Sequence, residues 1–183
     1  MKKACVFLAP GFEEVEGLAV VDLLRRAGVE LTMVSIEETC RITGSHGITV
    51  EADGLFDEVD YRSQDLLVLP GGMPGTVNLK NCDRLLELLH NSYKEGKLLA
   101  AICAAPTVFG YMGILKGKKA TCYPGCEGGL CGGEYLEQCV VTDGTIITSR
   151  GVGTAIPFAL ALIERLCGPE KAYEIGKSII YKM

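Results

Sequence analysis

A chain of 183 residues that is 48% hydrophobic, with a mean hydropathy of +0.26, has the apolar content to bury the core of one domain, which excludes a disordered chain. The net charge of −5 comes without a basic cluster, which argues against a nucleic-acid surface, and no apolar run is long enough to span a bilayer. Nine cysteines, an odd number with no export signal, read as reduced thiols of a cytoplasmic protein rather than a disulfide framework.

Lys3–Ala9 reads as a first strand, not a signal peptide, because the apolar stretch is short and runs straight into Pro10-Gly11. Helical spacing of Val15, Leu18, Val21 and Leu24 predicts a helix from Glu13 to Ala27, stopped by Gly28. Val29–Ile36 alternates as a second strand, and residues 40–56, punctuated by glycines, predict a hairpin excursion. Asp65–Leu69 is a buried strand ending at Pro70-Gly71-Gly72, Cys82–Lys94 is helical, and Lys97–Ile102 is a strand that breaks into a helix over Pro106–Met112. Val140–Thr142 and Thr145–Thr148 flank Asp143-Gly144, a hairpin signal, and Pro157–Cys167 and Glu170–Ile180 close the chain as helices. Strands alternating with helices over residues 1–183 predict a single α/β domain with a mostly parallel central sheet covered on both faces.

Chemistry concentrates at predicted carboxyl ends of strands, where such sheets place their sites. Cys103 ends the apolar run Leu98–Ile102 and is followed by small residues and Pro106, the pattern of a nucleophile elbow above a sheet. There the N–H groups and dipole of the following helix favour a thiolate; a small apolar cysteine in an ordinary turn is the competing reading. A thiol of pKa about 8.5 is only ~3% ionised at pH 7, so a drop of about two units would make it mostly thiolate. Glu13 and Glu14 suit the dipole of a first helical turn. Glu16 lies on another face; if it points across the sheet top toward Cys103, the two would share a proton, with Glu16 protonated and donating to the thiolate. The N–H groups of Gly71, Gly72 and Ala104 are candidates for an oxyanion hole; a tight turn alone also explains the two glycines.

The G-x-G of Ser149–Thr154 lacks the third glycine of a dinucleotide fingerprint and reads as close packing of loop and helix. Cys122, Cys126 and Cys131 do not match the usual zinc spacings, so no metal is expected. Cys122 and Cys126 become candidate resolving thiols if their loop folds over Cys103. Cys5 and Cys167, set in apolar runs, are expected in the core.

Taken together, Leu8–Glu16, Val21–Gly28, Leu69–Gly72, Ala100–Pro106 and Thr148–Thr154 resemble the ThiJ/PfpI superfamily, in the branch of the parkinsonism-associated protein deglycase and its bacterial relatives, over nearly the whole chain. The resemblance implies a flavodoxin-like three-layer sandwich, a homodimer, a reactive Cys103, a protonated partner in Glu16 and Arg26 in support. Implied activities are cofactor-free glyoxalase action on methylglyoxal or glyoxal, deglycation of proteins, peroxide sensing through a cysteine sulfinate, and chaperone action. The thiazole monophosphate biosynthesis label carried by some members has no mechanistic support in these residues. Two departures stand out. Tyr123 occupies the place of a histidine common in the family, and with a pKa of about 10 it is a poor base at neutral pH. The turn Gly44-Ser45-His46-Gly47 stands where many relatives place an arginine that reaches the partner subunit, so His46 either replaces it or is an ordinary turn histidine.

Histidine arithmetic narrows the chemistry. Only His46 and His90 are present, and neither follows Cys103. A class I glutamine amidotransferase and a serine hydrolase both need a later histidine, and a related intracellular cysteine protease has one where Ala104 stands.

Overall fold

The computed structural model describes residues 1–182. In chain order the elements are β1 (Lys3–Leu8), α1 (Glu14–Arg26), β2 (Glu30–Ser35), β3 (Arg41–Thr43), β4 (Thr49–Glu51), β5 (Gly54–Leu55), β6 (Leu66–Leu69), α2 (Gly75–Lys80), α3 (Asp83–Lys94), β7 (Leu98–Ile102), α4 (Pro106–Tyr111), β8 (Lys119–Ala120), β9 (Glu134–Tyr135), β10 (Val140–Asp143), β11 (Ile146–Ser149), α5 (Ala155–Cys167) and α6 (Pro169–Ser178). Seven strands form the central sheet in the order β10-β11-β7-β6-β1-β2-β5, parallel except for the antiparallel β10–β11 pair. This is the flavodoxin-like sandwich.

Strand alternation builds two cores. Ala4, Val6 and Leu8 of β1, Leu66 and Val68 of β6, and Ala100 and Ile102 of β7 pack with α1, α5 and α6 on one face. Cys5, Phe7, Leu67, Leu69, Leu99 and Ala101 pack with Leu79, Leu85, Leu89, Val108 and Phe109 on the other. A strand buried on both faces is apolar at every position, so continuous runs rather than alternation mark these strands. Phe158 of α5 is fully buried in the first core. Phe158→Ala is expected to lose about 3–5 kcal/mol of stability, read as a lower urea midpoint at unchanged m-value.

Differences from the sequence expectations have local causes. Helix α5 starts two residues before Pro157, because N–H groups in a first turn have no helical acceptor and proline is tolerated there. The closing hairpin turns at Gly144-Thr145, one residue late, with Gly144 at φ 63° and Asp143 still paired with Ile146. Val15 is 52% exposed, and the buried stripe of α1 runs instead through Glu16, Val20 and Leu24. Cys5 is buried as expected, but Cys167 is exposed at the end of α5.

Parallel strands bring the segments after β1, β6, β7 and β11 to one edge of the sheet. Strand β1 lies between β2 and β6, so the chain leaves it to one side and returns on the other. A crevice forms at such a switch point. It is there that the start of α1 meets the Gly71-Gly72 turn.

Candidate active site

Cys103 is the first residue beyond β7 and sits at φ 66°, a left-handed conformation few non-glycine residues adopt. Its backbone is tied on both sides. The Cys103 N–H donates to Ser149 O at the end of β11 (3.0 Å), and its carbonyl accepts from the Tyr123 N–H (2.8 Å). Pro106 then opens α4 at its first position, where a missing N–H costs nothing. Helix α4 has only six residues, so the nearby N–H groups rather than a long dipole act on the sulfur.

Glu16 is fully buried on α1 and close enough to Cys103 to share a hydrogen bond. Glu13 caps the helix, its Oε2 accepting from the Glu16 N–H at 2.7 Å. Glu16 Oε2 accepts from the Gly71 N–H at 2.9 Å, while Oε1 is buried with no partner among the described residues. Gly71 is therefore not a free oxyanion donor: its N–H is spent on Glu16. The N–H groups that act on the Cys103 sulfur are those of Ala104 and Gly72. Only glycine fits at 71, because a Cβ there would lie 2.5 Å from Cys103 Cβ and 2.6 Å from Glu16 Oε2.

Burial pushes the Glu16 carboxyl up to about 7; the Cys103 hydrogen bond opposes this, the Glu13 charge adds to it, and the Gly71 N–H opposes it. Burial, then the charge and hydrogen bond of Glu16, push the Cys103 thiol up to about 12, against the pull of the Ala104 and Gly72 N–H groups. The thiol is raised, where the elbow pattern led us to expect it lowered. Two of its three raising causes belong to Glu16 and vanish when Glu16 holds the proton. The Glu16 shift has a consequence for stability. Between about pH 4.5 and 7 the folded chain keeps a proton that the unfolded chain has released, so stability falls as pH rises through that window and levels off above it. Glu16→Gln is expected to flatten this slope in urea unfolding measured from pH 5 to 8.

An open cleft of about 510 Å³ lies over the pair, walled by Glu13, Tyr123, Arg150 and the Gly151–Thr154 turn. Tyr123 is half-exposed at its edge. Arg150, within the Thr148–Thr154 segment, joins the cleft wall although its sequence pattern does not mark it as a site residue. Its guanidinium is held by Glu137 Oε1 (3.0 Å) and the Tyr135 hydroxyl (3.3 Å). Thr154 Oγ1 accepts from the Arg150 and Gly151 N–H groups and so shapes the turn. This is the loop packing expected for the G-x-G fragment.

Other candidates fall outside the cleft. Arg26 sits at the last turn of α1, paired with Asp22 at 2.6 Å, and lines a separate hollow beside Ile156 and Ile179. Cys122 is fully buried in the second core with Cys126 packed against it, and neither lines the cleft. Their loop presents Tyr123 and Pro124 to Cys103 instead. His46 meets Glu14 of its own chain: its N–H donates to Oε1 (2.8 Å) and its Nδ1 lies 3.0 Å from Oε2. Burial raises the Glu14 carboxyl, but the His46 contacts, its own N–H and the Ile48 N–H outweigh this and hold it below the usual range.

A parallel α/β sandwich with a strained cysteine at the strand end and a buried carboxyl against it defines a class of cysteine-elbow proteins. The chain belongs to the DJ-1/PfpI family, whose model matches residues 2–165. It is similar to Protein DJ-1 homolog B of Arabidopsis thaliana, 40% identical over 183 residues that make up 99% of this chain and 42% of that one. The chain thus spans less than half the length of that relative. It is also 34% identical over 181 residues to a protein of Caenorhabditis elegans named glutathione-independent glyoxalase DJR-1.2, covering 97% of this chain and 96% of that one. Among solved structures, oxidised DJ-1 of Toxoplasma gondii superposes with a TM-score of 0.96 at 37% identity, covering all of both chains.

Proposed function

We propose that this protein is a cofactor-free glyoxalase or deglycase that converts methylglyoxal or glyoxal, free or as a protein adduct, to a hydroxy acid. The carrying observation is the buried Glu16 carboxyl, raised to about 7 and set beside Cys103 over Gly71, with one oxygen left unpartnered beneath an open cleft. The name of the Caenorhabditis elegans relative supports the same chemistry.

With the pair's one shared proton on Glu16, the Cys103 thiolate attacks the aldehyde carbon, forming the S–C bond of a hemithioacetal, and Glu16 gives that proton to the aldehyde oxygen. The Ala104 and Gly72 N–H groups stabilise that oxygen while it is charged. Glu16, now a carboxylate, moves the first carbon's proton to the ketone oxygen, giving the enediol, and then moves the first hydroxyl's proton to the second carbon. This leaves a thioester of lactate, and water cleaves it to lactic acid and the thiol, whose proton returns to Glu16. The overall change is methylglyoxal plus water to lactate, without net oxidation. No imidazole enters: Glu16 is the only proton carrier, and Tyr123 shapes the cleft edge. The reading includes a cytoplasmic homodimer, for which exposed Val15 and Ile48 on either side of Glu14 offer apolar surface.

The test is methylglyoxal loss with matching lactate formation by purified protein without glutathione. Absence of turnover sinks the reading. A second reading, an oxidation sensor or chaperone-like protein, is favoured by the N–H groups of Ala104 and Gly72 and by Glu16, which can hold the oxygens of a Cys103 sulfinate. Mass spectrometry after mild peroxide decides it. Two oxygens added selectively at Cys103, among nine cysteines, support the sensor, and uniform oxidation counts against it.

A further inference from the structure

Glu13, Glu14 and His46 bring one potential ligand atom each to within 4.8 Å of one another. The glutamates open α1, and the histidine sits 32 residues beyond Glu14 at the tip of the β3–β4 hairpin. Both carboxylates are buried, and the His46 side chain is 69% exposed. His46 Nδ1 lies 3.0 Å from Glu14 Oε2 and 3.7 Å from Glu13 Oε1. Donor atoms about 2.0–2.2 Å from a tetrahedral zinc-type ion stand about 3.3–3.6 Å apart, and the two distances straddle this range.

The surroundings orient the donors. Glu13 Oε2 is held by the Glu16 N–H, which turns Oε1 toward the ring, and among the described residues no hydrogen bond reaches that Oε1. Glu14 Oε1 accepts from the His46 and Ile48 N–H groups at 2.8 and 3.3 Å, which turns Oε2 toward the ring. Gly44 has no side chain, which is what lets Glu14 pass: a Cβ there would collide with the Glu14 carboxyl. The hairpin tip is thus clamped by main-chain bonds, not by the imidazole. Ser45 Oγ adds a fourth donor atom, 3.1 Å from Nδ1 and 3.4 Å from Glu14 Oε2. One carboxylate oxygen fixed by protein and the other left to converge is the outer-shell arrangement of ligating carboxylates. Three potential ligand atoms face one another across less than 4.8 Å. A proton on Nδ1 serves two of the three groups, and a divalent ion serves all three.

We propose that Glu13, Glu14 and His46 form a binding site for a divalent transition-metal ion of the zinc or cobalt type. The donor set of one imidazole and two carboxylates, without thiolate, fits such an ion better than a soft one. Glu13 also walls the Cys103 cleft, but metal binding is read by absorption without any turnover, so its failure leaves the glyoxalase reading untouched.

The test is a Co²⁺ titration of chelator-treated, fully reduced protein, followed by visible absorption. One equivalent is expected, with d–d bands and no thiolate-to-cobalt charge-transfer band. Loss of a direct ligand should exceed the roughly 10–100-fold cost of losing an outer-shell partner, so His46→Ala should weaken binding by more than about 100-fold. Glu14→Gln should do the same, while the Cys122→Ser/Cys126→Ser double variant should bind as before. His46 is exposed, so its replacement leaves the core intact and decides the matter even where Glu14→Gln fails to fold. No saturable binding, a thiolate charge-transfer band, or unchanged affinity in His46→Ala overturns the proposal.

Discussion

Cys103→Ser is expected to abolish methylglyoxal turnover, lowering lactate formation by at least roughly 10³-fold while the protein stays folded. Serine is nearly isosteric with cysteine and meets the same backbone demand at φ 66°, so stability should barely move. Its hydroxyl, by contrast, ionises only with help from a strong base. The only histidines are His46 and His90. One is engaged with Glu14, and the other is exposed on α3, in the opposite layer from α1. Glu16 with a pKa near 7 is too weak a base for an alcohol. Lactate formation and thermal unfolding on the same samples separate the two effects. Retained turnover would place the chemistry on another residue.

Glu16→Gln is expected to cost about 10²–10⁴ in kcat, the range for losing a positioned acid–base group. Glutamine keeps the acceptor for the Gly71 N–H and nearly the same volume, so the loss reports proton transfer rather than collapse of the site. A second readout should move the opposite way. Near pH 8 Glu16 is mostly charged, and its charge helps keep the thiol protonated. Its removal should let Cys103 ionise at lower pH and alkylate faster with iodoacetamide. Slower turnover with faster alkylation identifies Glu16 as a proton carrier that restrains the thiol at rest. Slower alkylation in the variant would mean that Glu16 supports the thiolate even at that pH.

The framework was readable because both faces of the sheet are buried. Runs such as Leu66–Leu69 and Leu98–Ile102 can be nothing but central strands, and their punctuation by Pro70-Gly71-Gly72 and Cys103 marks the edge where the site gathers. Helix α2 escaped notice: it spans six residues and starts at a glycine, too short for a periodic signal. Within the site, Cys103 and Glu16 stand out as a polar residue at a strand end and a carboxyl out of step with its neighbours. What each N–H does was not legible. Gly71 and Gly72 look alike in sequence, yet one holds Glu16 and the other faces the sulfur. The thiol pKa ran against expectation because burial and the neighbouring charge outweigh the N–H groups. Cys122 and Cys126 looked available because their loop is glycine-rich, but alternation turns Cys122 inward and Tyr123 outward. The cluster of Glu13, Glu14 and His46 joins residues more than thirty positions apart, and no local spacing announces it.

Tyr123 is tethered by its N–H to the Cys103 carbonyl, with a half-exposed ring at the mouth of the cleft, in a protein that contains no tryptophan. A lone indole introduced there would have no other emitter of its kind against which to be resolved. Its fluorescence would follow, in real time and without an added dye, whatever enters the cleft or modifies the sulfur beneath it.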